Sequence, residues 1–209
     1  MSSRLIPLFP LQVVVFPRTP LPLHIFEDRY KEMVGNAIRE NSEFGMVLVK
    51  GEGIVNAGCT VTVEKVVHMH PDGRLDILTR GQRRFEIRSL DEEKDYLQAQ
   101  VNFFDDDDFA PVPAELREQA IAQFLLLSKL SGTQAAEEPN LEDPQLSFQL
   151  AQVVPDLDFR QVLLATRSEA DRMKQLADFF PGYSSRQRQI QHARAVAPTN
   201  GHAKWPPGV

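Results

Sequence analysis

Hydrophobic positions change their spacing twice along the chain. From Ile6 to Tyr30 the run IPLFPLQVVVFPRTPLPLHIFEDRY is strongly apolar but holds five prolines, and most of its charges come at its end. Each proline removes a helical hydrogen bond, so the run reads as short extended segments and turns. VVVF, Val13 to Phe16, is β-branched and reads as a short strand. RLIPLF before it reads as another, at an edge or a bulge, and the remainder as a proline-rich crossover into the first helix. Phe26, Tyr30, Met33, Val34, Ala37 and Ile38 then recur at a period of 3.6. Glu27, Asp28, Lys31, Glu32, Arg39 and Glu40 largely take the opposite face.

After ENSEFG the pattern becomes that of strands. FGMVLVK, GCTVTVEKVVHMH, RLDILTRG, RRFEIRSL and YLQAQVNFF each read as a strand, with PDG (Pro71 to Gly73) as a turn signal between the second and third. In the last of them Leu97, Ala99, Val101 and Phe103 alternate with Gln98, Gln100 and Asn102. Six or seven strands and one early helix predict a closed or nearly closed sheet. DDDDFAPVP, Asp105 to Pro113, ends this region and reads as a solvated linker, since blocks of like charge usually stay hydrated.

Beyond it the spacing is helical. PAELREQAIAQFLLLSKLSG, PQLSFQLAQVV, DLDFRQVLLAT and SEADRMKQLADFF read as helices. Ser168 and Asp171 approximate a capping box at the start of the last. SSRQRQIQHAR either extends that helix past Pro181 and Gly182 or forms its own. The tail from Ala197 reads as disordered. The expected division is a β-barrel part over 1–108, a helical part over 109–195 and a tail over 196–209: an α+β protein, a barrel with an early helix followed by an α-helical bundle.

Composition narrows the partners. Asp and Glu outnumber Lys and Arg, 29 to 23, for a net charge of −6. That balance argues against nonspecific binding of nucleic acid or anionic membrane. The single cysteine, Cys59, allows no internal disulfide, which fits a reducing compartment. Arg4 before an apolar run resembles a secretion signal. The prolines and the lack of a small-x-small cleavage site oppose that reading, and no run reaches the roughly 20 apolar residues needed to span a bilayer. A soluble, cytoplasmic protein is expected.

The usual catalytic constellations find little support. GIVNAGCT (Gly53 to Thr60) is a phosphate-loop decoy: Cys59 stands where a lysine would meet phosphate, and a strand follows instead of a helix. GYSSR lacks the final glycine of a nucleophile elbow, and no Ser precedes a Lys by three residues. Cys59 in a strand reads as a small core residue. His68 and His70 share one strand face with Asp72 beyond, but no further ligand is evident. They read as partly exposed histidines near a hairpin tip, so neither a metal nor a cofactor is expected. Basic residues cluster at Arg80, Arg83, Arg84 and Arg88, and again at Arg186, Arg188 and Arg194. Alternation places Arg84 and Arg88 with Glu86 on an outer face, with Phe85 and Ile87 inward.

Pro7 to Leu11, Leu21 to Glu27 and the pair Arg29-Tyr30 together resemble the opening of the Lon protease N-terminal domain. FGMVLV, GCTVTVEKVV, PDGRLDILTRGQRRFEI and DYLQAQV fall where that family has its strands, and QVLLATRSEADRMKQLADFF resembles its helical end. The likeness covers roughly Leu5 to Phe180. It implies a PUA-like barrel with a helical bundle, acting as a non-catalytic protein- or peptide-binding module without the ATPase and peptidase modules. The implied partners are polypeptide segments or unfolded proteins and an ATP-dependent protease, in protein quality control or proteolysis. Pro22, Leu23, His24, Phe26 and Glu27 are the candidate peptide-binding residues. The competing structural role for His24 and Glu27 is hydrogen bonding to backbone near the helix start. Arg18 departs from the family, which commonly has glycine there. RNA binding, known for PUA-like barrels, is the alternative function.

Overall fold

The proline-rich opening forms two strands: the one expected at RLIPLF, and a second that is not VVVF. The structure, a computed structural model, describes residues 5–131 and 138–196, without the side chains of 130, 131, 191 and 193–196. The expected disordered tail and the side chain of Arg194 lie outside the described residues. Strand β1 is Leu5–Leu11 and β2 is Pro20–Ile25. Val13 to Phe16 joins no ladder. It runs buried between the strands, where the Val14 carbonyl accepts from Arg160 and the Phe16 amide donates to Thr19 Oγ1. The expected crossover PLPLHI is instead β2, a strand at the sheet edge that pairs only with β5 (Leu75–Asp91) among the described residues. An edge is where proline is tolerated, because the missing N–H can lie on the unpaired side. In β1, Pro7 pairs toward β6 (Gln98–Phe104), while Pro10 pairs toward β3 (Phe44–Lys50). Each proline thus has a ladder on one side only.

Strand β4 is Gly53–Met69, and the sheet order is β2-β5-β4-β3-β1-β6 with β6 returning to β5. The sheet therefore closes on itself. Among the described strands only β1 and β3 pair in parallel. β5 was expected as two strands and is a single one of 17 residues. One side carries β4; the other carries β2 along its first part and β6 along its last. The helix α1, Asp28–Glu40, buries Tyr30, Met33, Val34 and Ala37. Phe26, expected at the head of this stripe, lies before the helix and is 58% exposed.

Four α-helices follow among the described residues: α2 (Ala114–Ser131), α3 (Leu146–Leu150), α4 (Leu157–Ala165) and α5 (Glu169–Val196). α5 runs through Pro181 and Gly182 without a break, so the C-terminal segment extends the helix. Ser168 Oγ accepts from the Asp171 amide at 3.2 Å, the cap that the sequence predicts. The architecture is α+β, and one core unites Phe9, Phe44 and Ile77 of the sheet region with Phe124, Leu163 and Phe180 of the helices.

The acidic run is not a solvated linker. Asp106 accepts from Arg84 at 2.7 Å and from Arg172 through both carboxylate oxygens, at 2.6 and 2.7 Å. Nor does Arg84 face outward: it is 2% exposed, with its guanidinium on the Leu164 and Thr166 carbonyls. The helices cover the sheet face that alternation left to solvent, which puts both faces of β5 indoors here. Burial raises the Asp106 pKa, but the hydrogen bonds and charge of Arg172, with Gln145 and Arg84, outweigh it and hold the carboxyl down to about 2. A depressed carboxylate pKa stabilises the fold at pH above its unfolded value and loses that contribution as pH falls through the folded value. Burial shifts Glu169 the opposite way, upward, so the effect is best read as a difference. The stability gap between wild type and Asp106→Asn, from urea unfolding, is expected to shrink by about 2 kcal/mol between pH 5 and pH 2. A gap that stays constant over that range contradicts the assignment.

Candidate functional site

The end of β2 meets the start of α1 over a small cleft of about 180 Å³. It is lined by Phe9, Leu11, Pro22, Leu23, His24, Ile25, Phe26, Glu27 and Tyr30. All five candidate residues, Pro22, Leu23, His24, Phe26 and Glu27, lie on this one wall. Strand alternation explains the arrangement: Ile25 turns inward and is buried, while Pro22, His24 and Phe26 remain toward the rim. The floor is aromatic. The rings of Phe9 and Tyr30 lie 4.1 Å apart, and the Arg29 guanidinium sits 4.6 Å from the Tyr30 ring centre. Burial raises the Tyr30 pKa, with Arg29 opposing and Glu27 adding to the shift.

Among the described residues the side chains of His24 and Glu27 bond other side chains rather than backbone. His24 Nδ1 lies 2.6 Å from Asp76 Oδ1, and Glu27 Oε2 accepts from Arg29 at 2.9 and 2.7 Å. Glu27 occupies the N-cap position of α1 without a side-chain cap. The Phe26 ring stacks on His24 at 6.0 Å between centres. Two more apolar side chains stand free near this end of the sheet: Val67 and Met69 on β4, 60% and 67% exposed. Sequence reasoning missed Phe9, Leu11 and Tyr30 as cleft residues, although their apolar character on both flanks of the proline block was visible. Asp76 gave no signal, because only the β2–β5 register brings it to His24.

Broader hollows exist elsewhere, with more polar linings. One of about 440 Å³ includes Asn36, Asn41, Glu43, Arg83 and Lys94; another of about 400 Å³ includes Arg18, Gln82, Arg83, Arg84 and Asp105. Their arginines are engaged. Arg83 pairs with Glu43 at 3.1 Å and lies 3.7 Å over the Phe103 ring; outside the hollows, Arg80 pairs with Glu64 at 2.5 Å. Arg18 pairs with Asp143 at 2.7 Å. Its backbone φ of 61° lies in the left-handed region. That explains why glycine suits this turn, and here the Asp143 and Gln145 contacts help to hold the non-glycine residue in place. Cys59 is fully buried and its thiol is pushed up to about 12 by desolvation, which leaves it without thiolate reactivity. Among the described residues no helix is long and apolar enough to cross a membrane.

A closed mixed sheet with an early helix and a C-terminal helical cluster defines the class of this α+β protein. Residues 5–180 match the ATP-dependent protease La (LON) substrate-binding domain, and the chain belongs to that family. It is similar to the Lon protease of Roseiflexus castenholzii, 28% identical over 200 residues, covering 88% of this chain and 24% of that protein. It is also similar to the Lon protease of Parabacteroides distasonis, 28% identical over 110 residues, covering 48% of this chain and 13% of that one. The chain therefore spans a quarter or less of these relatives. A solved structure, the Lon N-terminal domain protein of Xanthomonas campestris, superposes with a TM-score of 0.67 at 27% identity, covering 85% of this chain and 99% of that one. The N-terminal domain of Mycobacterium avium complex Lon protease shares the fold, with a TM-score of 0.61 at 18% identity over 85% of this chain and 98% of that one.

Proposed function

We propose that the chain is a non-catalytic polypeptide-binding module that captures apolar segments of unfolded proteins at the β2–α1 cleft. It serves protein quality control or proteolysis in the cytoplasm, with an ATP-dependent protease as partner. Residues 1–108 act as a PUA-like barrel unit and 109–195 as a helical unit. The carrying observation is the apolar cleft between Phe9, Leu23, Phe26 and Tyr30, in a chain of the Lon substrate-binding family. The non-catalytic reading rests on the sequence, where the phosphate-loop decoy lacks its lysine and Cys59 is inert.

Capture works through side chains rather than strand addition. β2 has a free edge, but Pro20 and Pro22 occupy alternate positions and carry no N–H. Inward positions must supply donors to β5, so the prolines fall on the outward side and leave an incoming strand few partners. The cleft is smaller than the roughly 300–1,000 Å³ of small-molecule pockets and suits one apolar anchor. Burying a single large side chain contributes about 1.5–3 kcal/mol, whereas micromolar affinity needs about 8 kcal/mol. Binding must therefore spread beyond the cleft, to the exposed Phe26 and across β5 to the exposed Val67 and Met69 of β4.

A fluorescence titration with a reduced, unfolded model protein tests this. Wild type is expected to bind, and Phe26→Asp to weaken binding at least about tenfold while keeping its circular dichroism spectrum. Affinity should change less than about tenfold between 50 and 200 mM salt, where RNA binding through six or more phosphates would lose about 10³–10⁵. Equal affinity of the two proteins would sink the site assignment, and the steep salt response would move the function to RNA.

A further inference from the structure

His24 on β2, Asp76 on β5 and His68 on β4 are register neighbours in one row across three strands. His70 follows β4 and closes the hairpin: its amide donates to the Arg74 carbonyl at 2.9 Å, and its carbonyl accepts from Gly73, whose φ is 82°. This turn swings the His70 ring back over Asp76. Asp76 then faces His24 Nδ1 with one oxygen, at 2.6 Å, and His70 Nε2 with the other, at 2.8 Å. The candidate ligand atoms of the three residues lie within 4.8 Å of one another. We propose that His24, His70 and Asp76 form a binding site for a divalent transition-metal ion of the zinc type at the rim of the barrel.

The donor set selects the ion. Two imidazoles and one carboxylate suit Zn²⁺, Co²⁺, Ni²⁺ or Cu²⁺, whereas Mg²⁺ and Ca²⁺ prefer all-oxygen shells. Zinc bonds of about 2.0–2.2 Å place tetrahedral ligand atoms roughly 3.3–3.5 Å apart. The two Asp76–histidine spacings are shorter because hydrogen bonds hold them, so the ion takes the place of the two shared protons and these contacts open by roughly half an ångström to an ångström, while ligand atoms now as much as 4.8 Å apart close on the ion. All three side chains are partly exposed and have room to do so. Each neutral ring then carries its proton on the far nitrogen and turns a lone pair to the metal. Asp76 stands between the two rings and supplies the anionic ligand. Water completes the shell, with the His68 ring 4.4 Å from that of His70 as a flanking donor. The bound ion ties the end of β2 to the β4–β5 hairpin, directly behind Phe26. This inference stands independently of peptide capture.

The test uses tag-free chain stripped by chelator and titrated calorimetrically with Zn²⁺ alone at pH 7.5. One saturable equivalent is expected. Loss of a ligand should exceed the 10–100-fold cost of losing an outer-shell partner, so His24→Ala and His70→Ala each weaken binding by about a hundredfold or more. His192→Ala, far along α5, leaves it unchanged. Should a variant fail to fold, wild type alone suffices: Zn²⁺ should protect His24 and His70 from diethyl pyrocarbonate, read by peptide mass spectrometry. Absence of saturable binding, binding retained by the folded double variant, or protection confined to other histidines would overturn the proposal.

Discussion

Replacing Arg172 with alanine is expected to cost about 3–5 kcal/mol of stability, the range for breaking one partner out of a buried ion pair. Arg172 has no exposed surface. All five of its donors are used: Nε on Ser147 Oγ at 2.9 Å, one terminal nitrogen on Asp106 and the Thr166 carbonyl, the other on Asp106 and Glu169. Its guanidinium also lies 4.2 Å from the Phe148 ring centre. Removing it leaves the Glu169 carboxylate, which burial already penalises, with Ser147 but without its paired cation, and leaves Asp106 to Arg84 and Gln145. Arg172→Lys should recover little, since an ammonium has three donors and no planar fork. Urea midpoints at unchanged m-value measure both variants. A loss below about 1 kcal/mol for Arg172→Ala would show that the hub contributes little to joining helices and sheet.

Gly81→Ala is the second large effect. An added Cβ would stand 2.0 Å from the Phe16 carbonyl oxygen and 2.8 Å from its carbon, both backbone atoms that cannot swing aside. Two backbone bonds fasten this contact, Arg18 N–H to the Gly81 carbonyl at 2.8 Å and Gly81 N–H to the Thr19 carbonyl at 3.0 Å. The turn itself is stiffened by Thr19, whose hydroxyl donates to the Phe16 carbonyl at 2.8 Å. Alanine must push the whole Phe16–Thr19 turn off β5, so about 3 kcal/mol is expected, the upper end for overpacking. Gly35→Ala in α1, where a new Cβ meets nothing within 4 Å, should stabilise by about 0.5–1 kcal/mol through helix propensity. Parallel thermal melts read the contrast; a Gly81→Ala protein as stable as wild type would refute the close approach.

These two residues also show where sequence reading stops. The period-two runs located the strands, and the 3.6-residue stripes located α1 and the C-terminal helices, because local spacing reports which face is buried. Partners distant in sequence leave no local trace. Asp106 was read as hydrated because its neighbours are acidic; its cations stand 22 and 66 residues away. Val13 to Phe16 looked like a strand by composition, yet its backbone bonds go to Arg160 and Thr19. Gly81 looked like a strand end, but the glycine answers a crossing chain rather than a turn. At the cleft, the resemblance to a known family marked the block Pro22 to Glu27, and the fold gathered all five candidates on one wall. Asp76, opposite His24, became legible only with the register of β2 on β5.

Hydrogen–deuterium exchange of the chain with and without a saturating unfolded polypeptide tests the proposed capture site most directly. Protection is expected at amides from Leu23 to Tyr30 and in Val66 to Met69, with little change around Arg80 to Arg84. Protection centred on the arginine-lined hollows, leaving the β2–α1 junction untouched, would contradict the cleft as the place where polypeptides bind.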